Sequence, residues 1–198
     1  MHKGRLEAFS DGVLAILITI MVLELHVPNG AGVAALLGAA PRLLLYALSF
    51  VFLAIYWNNH HHMLQAAHRV NGAALWANMM LLFWLSLIPF TTDWMGEHFE
   101  PVPVAAYGTV LILAALSYYT LARILLAHHG PESLLARAIG RDTKGIVSLA
   151  IYAVAVVLAF VQPAVACALY VVVAMIWLVP DRRIERVLER EGQHLHQG

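Results

Sequence analysis

From Gly4 to Leu25 the chain reads GRLEAFSDGVLAILITIMVLEL. A hydrocarbon core of about 30 Å takes roughly 20 apolar residues wound as a helix, and this segment is apolar enough to fill one. Its first turns nevertheless hold Arg5, Glu7, Ser10 and Asp11. Charge at membrane depth is expensive and tends to face protein or water, so these residues are functional candidates and not features of a plain lipid anchor. Further along, Ile16, Thr19, Ile20 and Leu23 follow the spacing i, i+3, i+4, i+7, which places them on one helical stripe. A stripe of branched aliphatics with one hydroxyl suits either packing against a neighbouring helix or lining a narrow pore. Asp11 sits where a signal peptide is apolar, and no small-residue cleavage site follows a short apolar core, so the segment reads as a retained helix.

Similar apolar runs recur along the chain. Spans are expected at about 6–25, 43–62, 72–92, 104–127, 145–161 and 164–179. Between the first two, 31–40 is small and apolar and too short to cross, so it reads as a short interfacial helix, with Pro41-Arg42 opening the second span. A loop is expected over 93–103, a polar loop over 132–144, a tight Gln162-Pro163 turn, and a charged helix over 181–191 within a cytoplasmic charged tail, 181–198. With 61% hydrophobic and only 12% charged residues among 198, against about 25% charged in a soluble domain, the expected fold is an all-α integral membrane protein, one six-span domain over 1–198. Spans fill that length, which leaves no room for a soluble enzymatic domain. The formal net charge of zero gives no bulk basic character for nucleic acid, and the single Cys167 allows no disulfide within the chain.

The basic residues sort by loop. Lys3 and Arg5, then Arg69, then Arg123, Arg137, Arg141 and Lys144, then Arg182, Arg183, Arg186 and Arg190 all fall on one side, and only Arg42 falls on the other. The excess of Lys and Arg in cytoplasmic loops therefore puts both termini in the cytoplasm. The outer side collects Glu24, Asp93, Glu97 and Glu100, which would raise the local concentration of cations; outer loops poor in Lys and Arg are equally the ordinary pattern of any membrane protein.

The run Trp57-Asn58-Asn59-His60-His61-His62 looks like a metal cluster. Iron and zinc sites need three or more converging ligands. Adjacent helical residues point about 100° apart, so His60, His61 and His62 do not face one ion, and no metal is expected.

Arg5, then Phe9-Ser10-Asp11 opening the first apolar helix, then Thr19 within it, resembles the R-x-x-x-F-S-D signature of the lysosomal potassium channel family (transmembrane protein 175), in its prokaryotic single-repeat form. Trp57 and His61 on the second span, Asn78 on the third, and Leu87-Ile88-Pro89-Phe90 with Thr91-Thr92 at its end also look like the family pattern. The resemblance implies a homotetrameric, leak-like potassium-permeable cation channel of the plasma membrane, with no catalytic activity and no cofactor beyond permeant K+. It implies that the first span lines a central pore, with Ile16 as the main constriction, Thr19 as a hydroxyl layer, and Ile20 and Leu23 as further aliphatic rings. No TVGYG-like sequence occurs, so selectivity would rest on pore width and dehydration at apolar rings rather than on carbonyl rings.

Asp11 lies about 140° around the helix from Ile16, so a pore-facing stripe turns the carboxylate back into its own subunit. A buried carboxylate needs donors; Trp57, His61 and Ser10 are placed to supply them, with Arg5 adding charge. The Phe9-Ser10-Asp11 segment is thus expected to fasten the first span to the second and third. A proton-coupled secondary transporter using Asp11, Arg5 and His61 is the alternative. It is weakened because the first span is unbroken past Gly12 and the two halves of the chain do not resemble each other. A His-dependent membrane oxidoreductase is disfavoured by ligand count.

Overall fold

The structure, a computed structural model, describes residues 3–67, 69–130, 133, 135–136 and 143–178. It contains α1 (Lys3–Leu23), α2 (Val33–Ala66), α3 (Gly72–Leu85), α4 (Ile88–Glu97), α5 (Pro101–His129), α6 (Thr143–Ala159) and α7 (Pro163–Leu178). Among the described residues there is no strand. The chain is an all-helical protein: apolar backbone that meets lipid satisfies its own hydrogen bonds only in a helix or a closed barrel. Four stretches are long and apolar enough to cross a membrane: α1, α2, α3 with α4, and α5. The apolar helices α6 and α7 have 17 and 16 residues.

Successive crossings run antiparallel, and side chains tie their ends. Lys3 Nζ donates to the Gln65 carbonyl, joining the start of α1 to the end of α2. At that same end the Arg69 amide donates to His129 Nε2, and His129 Nδ1 lies 2.8 Å from the Leu125 carbonyl, so the ring caps the end of α5 against the α2–α3 turn. At the opposite end Arg42 of α2 meets Glu97 of α4 at 3.7 Å. The Trp177 indole of α7 donates to Ser148 of α6.

Two expectations from the sequence are corrected. Residues 31–40 do not form a separate interfacial helix: α2 is continuous through Pro41, over 34 residues or about 51 Å. A proline removes one backbone hydrogen bond, whereas ending the helix there would leave several orphaned groups at each new end. The 93–103 loop shrinks to 98–100, because α4 continues to Glu97 and α5 starts at Pro101. The third crossing is also broken. Ser86 caps α3, its hydroxyl donating to the Phe83 carbonyl, and Pro89 sits in the first turn of α4, where its missing N–H is harmless. The charged helix over 181–191, the tail to 198, Arg137 and Arg141 lie outside the described residues.

The centre of the bundle is aromatic. Phe52, Tyr107, Tyr152 and Tyr170 join α2, α5, α6 and α7, with ring centroids 5.5–6.5 Å apart. Gly108 makes this possible: a methyl there would collide with the Tyr170 hydroxyl, which passes through the notch to donate to the Val104 carbonyl at 3.0 Å.

Candidate functional site

The first helix has two faces. Leu6, Ser10, Leu14, Leu17 and Met21 are buried against the rest of the chain. Arg5, Phe9, Gly12, Ile16, Thr19 and Leu23, alternating four and three residues apart, are all exposed. Along this stripe Ile16 is 58% and Leu23 81% exposed, with Ile20 beside them at 39%. The neighbouring Leu17 is only 5% exposed. Thr19 donates its hydroxyl proton to the Ile16 carbonyl at 2.7 Å, with the Ala15 carbonyl at 3.2 Å. Its oxygen is thereby left with only lone pairs to offer on the open face, and such an oxygen attracts a cation.

Glu7, Ser10 and Asp11 turn the other way. Trp57 Nε1 donates to Asp11 Oδ1 at 2.9 Å. His61 stacks on Trp57, with centroids 5.8 Å apart and planes 17° from parallel. Its Nδ1 lies 2.9 Å from Glu7 Oε1, so its polar partner is Glu7 and not Asp11. Arg5 is exposed and pairs with no described residue.

Beneath this surface layer runs a buried relay. Ser10 donates to the Leu6 carbonyl at 2.9 Å, so Ser10 Oγ accepts from Asn78 Nδ2 at 3.0 Å. Asn78 Oδ1 in turn lies 2.7 Å from His60 Nε2. With its amide committed to Ser10, Asn78 presents only its oxygen, which makes His60 Nε2 the donor. All three side chains are buried, and they link α1, α2 and α3. Sequence reasoning paired His61 with Trp57 at i+4 and passed over His60. The signal that would have found it is Asn78 itself, since an amide inside an apolar helix needs a polar partner.

A second network was not anticipated. Thr92 donates to the Ile88 carbonyl at 2.7 Å, so Ser49 donates to Thr92 at 2.7 Å and the Tyr107 hydroxyl donates to Ser49 at 3.0 Å. This chain locks α2, α4 and α5 together with every hydroxyl satisfied.

The acidic residues divide. Glu24 and Asp93 border one small cleft with Arg42. Partial burial, and after it the Asp93 carboxylate, raise the Glu24 carboxyl above its usual range. Glu97 is paired with Arg42, and Glu100 lies exposed at the start of α5, where negative charge suits the helix dipole. Two of the three histidines diverge, His60 to Asn78 and His61 to Glu7. Among the described residues no group of three or more His, Cys, Asp or Glu is arranged to hold a metal.

Comparison with known proteins bears on this geometry. Residues 5–89, which hold Arg5, the Phe9-Ser10-Asp11 segment and the Asn78 relay, match the family described as the endosomal/lysosomal potassium channel TMEM175. A potassium channel of Chryseobacterium sp. (strain P1-3) is 50% identical over 190 residues, 96% of this chain and 99% of that one. The endosomal/lysosomal proton channel TMEM175 of Homo sapiens is 29% identical over 147 residues, 65% of this chain but 29% of the human one. The crystal structure of a lysosomal potassium-selective channel TMEM175 homolog from Chamaesiphon minutus superimposes with a TM-score of 0.78 at 28% identity, covering 89% of this chain and 96% of that one. Half identity along almost the full length of a bacterial relative, with the family match falling on the segment that fastens α1, makes this chain a member of the TMEM175 family, a family of ion channels and not of enzymes.

Proposed function

We propose that the chain is the subunit of a potassium-permeable, leak-like cation channel, in which four copies bring α1 together around a central pore. The observation that carries this reading is the open stripe of α1. Its polar residues Ser10 and Asp11 are satisfied inward, while Ile16, Thr19, Ile20 and Leu23 stand exposed. Stripes repeating at alternating fours and threes are those on which like helices pack together. In such an assembly Ile16 forms the constriction, Thr19 an oxygen layer above it, and Ile20 and Leu23 further rings. A ring of aliphatic side chains offers nothing to replace ion hydration. Potassium sheds water more readily than sodium, so the narrow dry ring penalises sodium more, and it gates by dewetting when it narrows.

The Lys3, Arg5, Arg69 and Lys144 end of the bundle is the cytoplasmic one, in the plasma membrane. Glu24, Asp93, Glu97 and Glu100 then face outward and attract cations, with Arg42 offsetting Glu97. No cofactor is needed; K+ is the permeant ion. A proton-coupled carrier built on Asp11, Arg5 and His61 is disfavoured, since Asp11 and His61 hold different partners and Arg5 joins neither.

The test is Ile16→Asn, measured as reversal potential under asymmetric potassium and sodium in liposomes or planar bilayers. The amide coordinates ions or holds water, so conductance is expected to rise and the preference for potassium to fall. Leu17→Asn would test folding instead, because Leu17 is buried. The control is Val157→Asn on α6, at a residue 67% exposed. Equal reversal potentials in Ile16→Asn and the unaltered protein would mean that α1 does not line the pathway.

A further inference from the structure

Between α2, α5, α6 and α7, apart from the α1 stripe proposed to line the pore, lies a cavity of about 190 Å³. Six of its lining residues are aromatic: Phe52, Tyr56, Tyr118, Tyr119, Tyr152 and Trp177. Two of them are held in place by hydrogen bonds. Trp177 donates to Ser148 at 2.9 Å, and the Tyr118 hydroxyl donates to the Asn59 carbonyl at 3.2 Å. Tyr56 and Tyr118 meet edge to face with centroids 6.2 Å apart. The polar atoms of Trp177 and Tyr118 are thus taken up by the protein, and aromatic rings make up much of the lining.

We propose that this cavity is a binding site for a small, uncharged, ring-shaped apolar molecule. Size supports it: an apolar protein cavity of about 150 Å³ stays dry and takes up benzene, and this one is slightly larger. Shape supports it too, since fixed aromatic walls favour a planar guest through offset or edge-to-face contacts. Ile146, exposed on α6, stands at the rim, where the cavity opens to the surface. The site also backs onto the helix that fastens α1. On α2, Asn59 lines the cavity while His61 reaches Glu7 of α1; two positions apart, they point about 160° from each other. An occupant therefore sits one helix away from α1.

The test uses the full chain in lipid nanodiscs with bromobenzene as the probe, since bromine quenches indole fluorescence at contact. Trp177 lines the cavity, whereas Trp76 is 78% exposed and reports dissolution in the bilayer. Titration is expected to give a saturable quench on top of a linear one, with the saturable part absent in Trp177→Phe. Ala115→Leu fills the cavity from α5 and is expected to weaken the saturable part at least about tenfold, equivalent to about 1.4 kcal/mol. Ile146→Phe narrows the rim without touching the core, and its saturable part is expected to appear more slowly. A purely linear quench in the unaltered protein overturns the proposal. So does a saturable quench unchanged in both Trp177→Phe and Ala115→Leu. If bromobenzene is excluded while a phospholipid brominated on its acyl chain quenches Trp177, the occupant is a lipid tail and the proposal falls.

Discussion

Removing the Asn78 amide separates a relay from three independent bonds. Asn78 gives one hydrogen bond and takes one, both fully buried. In Asn78→Leu the shape is nearly kept, and Ser10 still donates to the Leu6 carbonyl. His60 fares worse. Its Nδ1 already has no partner among the described residues, and the substitution takes the partner of Nε2. A buried donor left unsatisfied costs about 1–3 kcal/mol, so Asn78→Leu should destabilise the fold by about 2 kcal/mol. His60→Phe should cost somewhat less, since it orphans only the Asn78 oxygen. With both changes neither orphan remains, and replacing both partners by apolar groups of similar shape can be nearly neutral. The double variant should therefore be more stable than the sum of the two losses predicts. Measured interhelical couplings in membranes average ~0.6 kcal/mol and reach ~1.7 kcal/mol; the short contact and complete burial put this one near the top of that range. The assay is unfolding by sodium dodecyl sulfate in mixed micelles, followed by fluorescence, for the four members of the cycle. Additivity within about 0.3 kcal/mol, below the ordinary scatter of independent sites, would refute the relay.

Asp11→Asn keeps an acceptor for Trp57 and should lower the yield of assembled protein mildly, while Asp11→Ala lowers it strongly, both without moving the potassium–sodium reversal potential; a shift in Asp11→Asn would make Asp11 part of the pathway. Gly108→Ala drives a methyl into Tyr170 and Val156 and should destabilise the fold by about 1–3 kcal/mol as an overpacked core, read by the same unfolding assay; no change would mean that α5 and α7 separate at little cost. Under the proposed orientation, a cysteine at Glu97 should react with an impermeant maleimide from outside intact cells and one at Arg69 only after lysis; labelling of both from one side would break the antiparallel order.

Much of this was legible in the sequence, for reasons that also explain what was not. Apolar runs of bilayer length mark the crossings because lipid permits little else, and Phe9-Ser10-Asp11 is local enough to recognise. The continuity of α2 was hidden because Pro41 is read as a breaker by its local chemistry, while the cost of ending a helix is set by its surroundings. His61 was preferred to His60 because spacing along one helix reveals which residues share a face, not which neighbour that face meets. Ser49, Thr92 and Tyr107 are separated by tens of residues, and hydroxyls in apolar helices are often satisfied by their own backbone, as Thr109 and Ser117 are here, so nothing in their spacing singled them out.

Under the proposed assembly of four copies, the two faces of α1 also divide biosynthesis into stages. The polar contacts that fasten that helix, made by Glu7, Ser10 and Asp11, run to His61, Asn78 and Trp57 of the same chain. A newly inserted subunit can thus finish its hydrogen bonding before meeting a sister copy. What remains for assembly is a mostly apolar ridge, with Arg5 and Thr19 as its polar members, joined by close packing and by released lipid. Damage to the fasteners would then remove the protein at the translocon or in quality control. Damage to the ridge would leave well-folded orphans diffusing singly in the bilayer, and a subunit of that kind could poison complexes formed with unaltered copies.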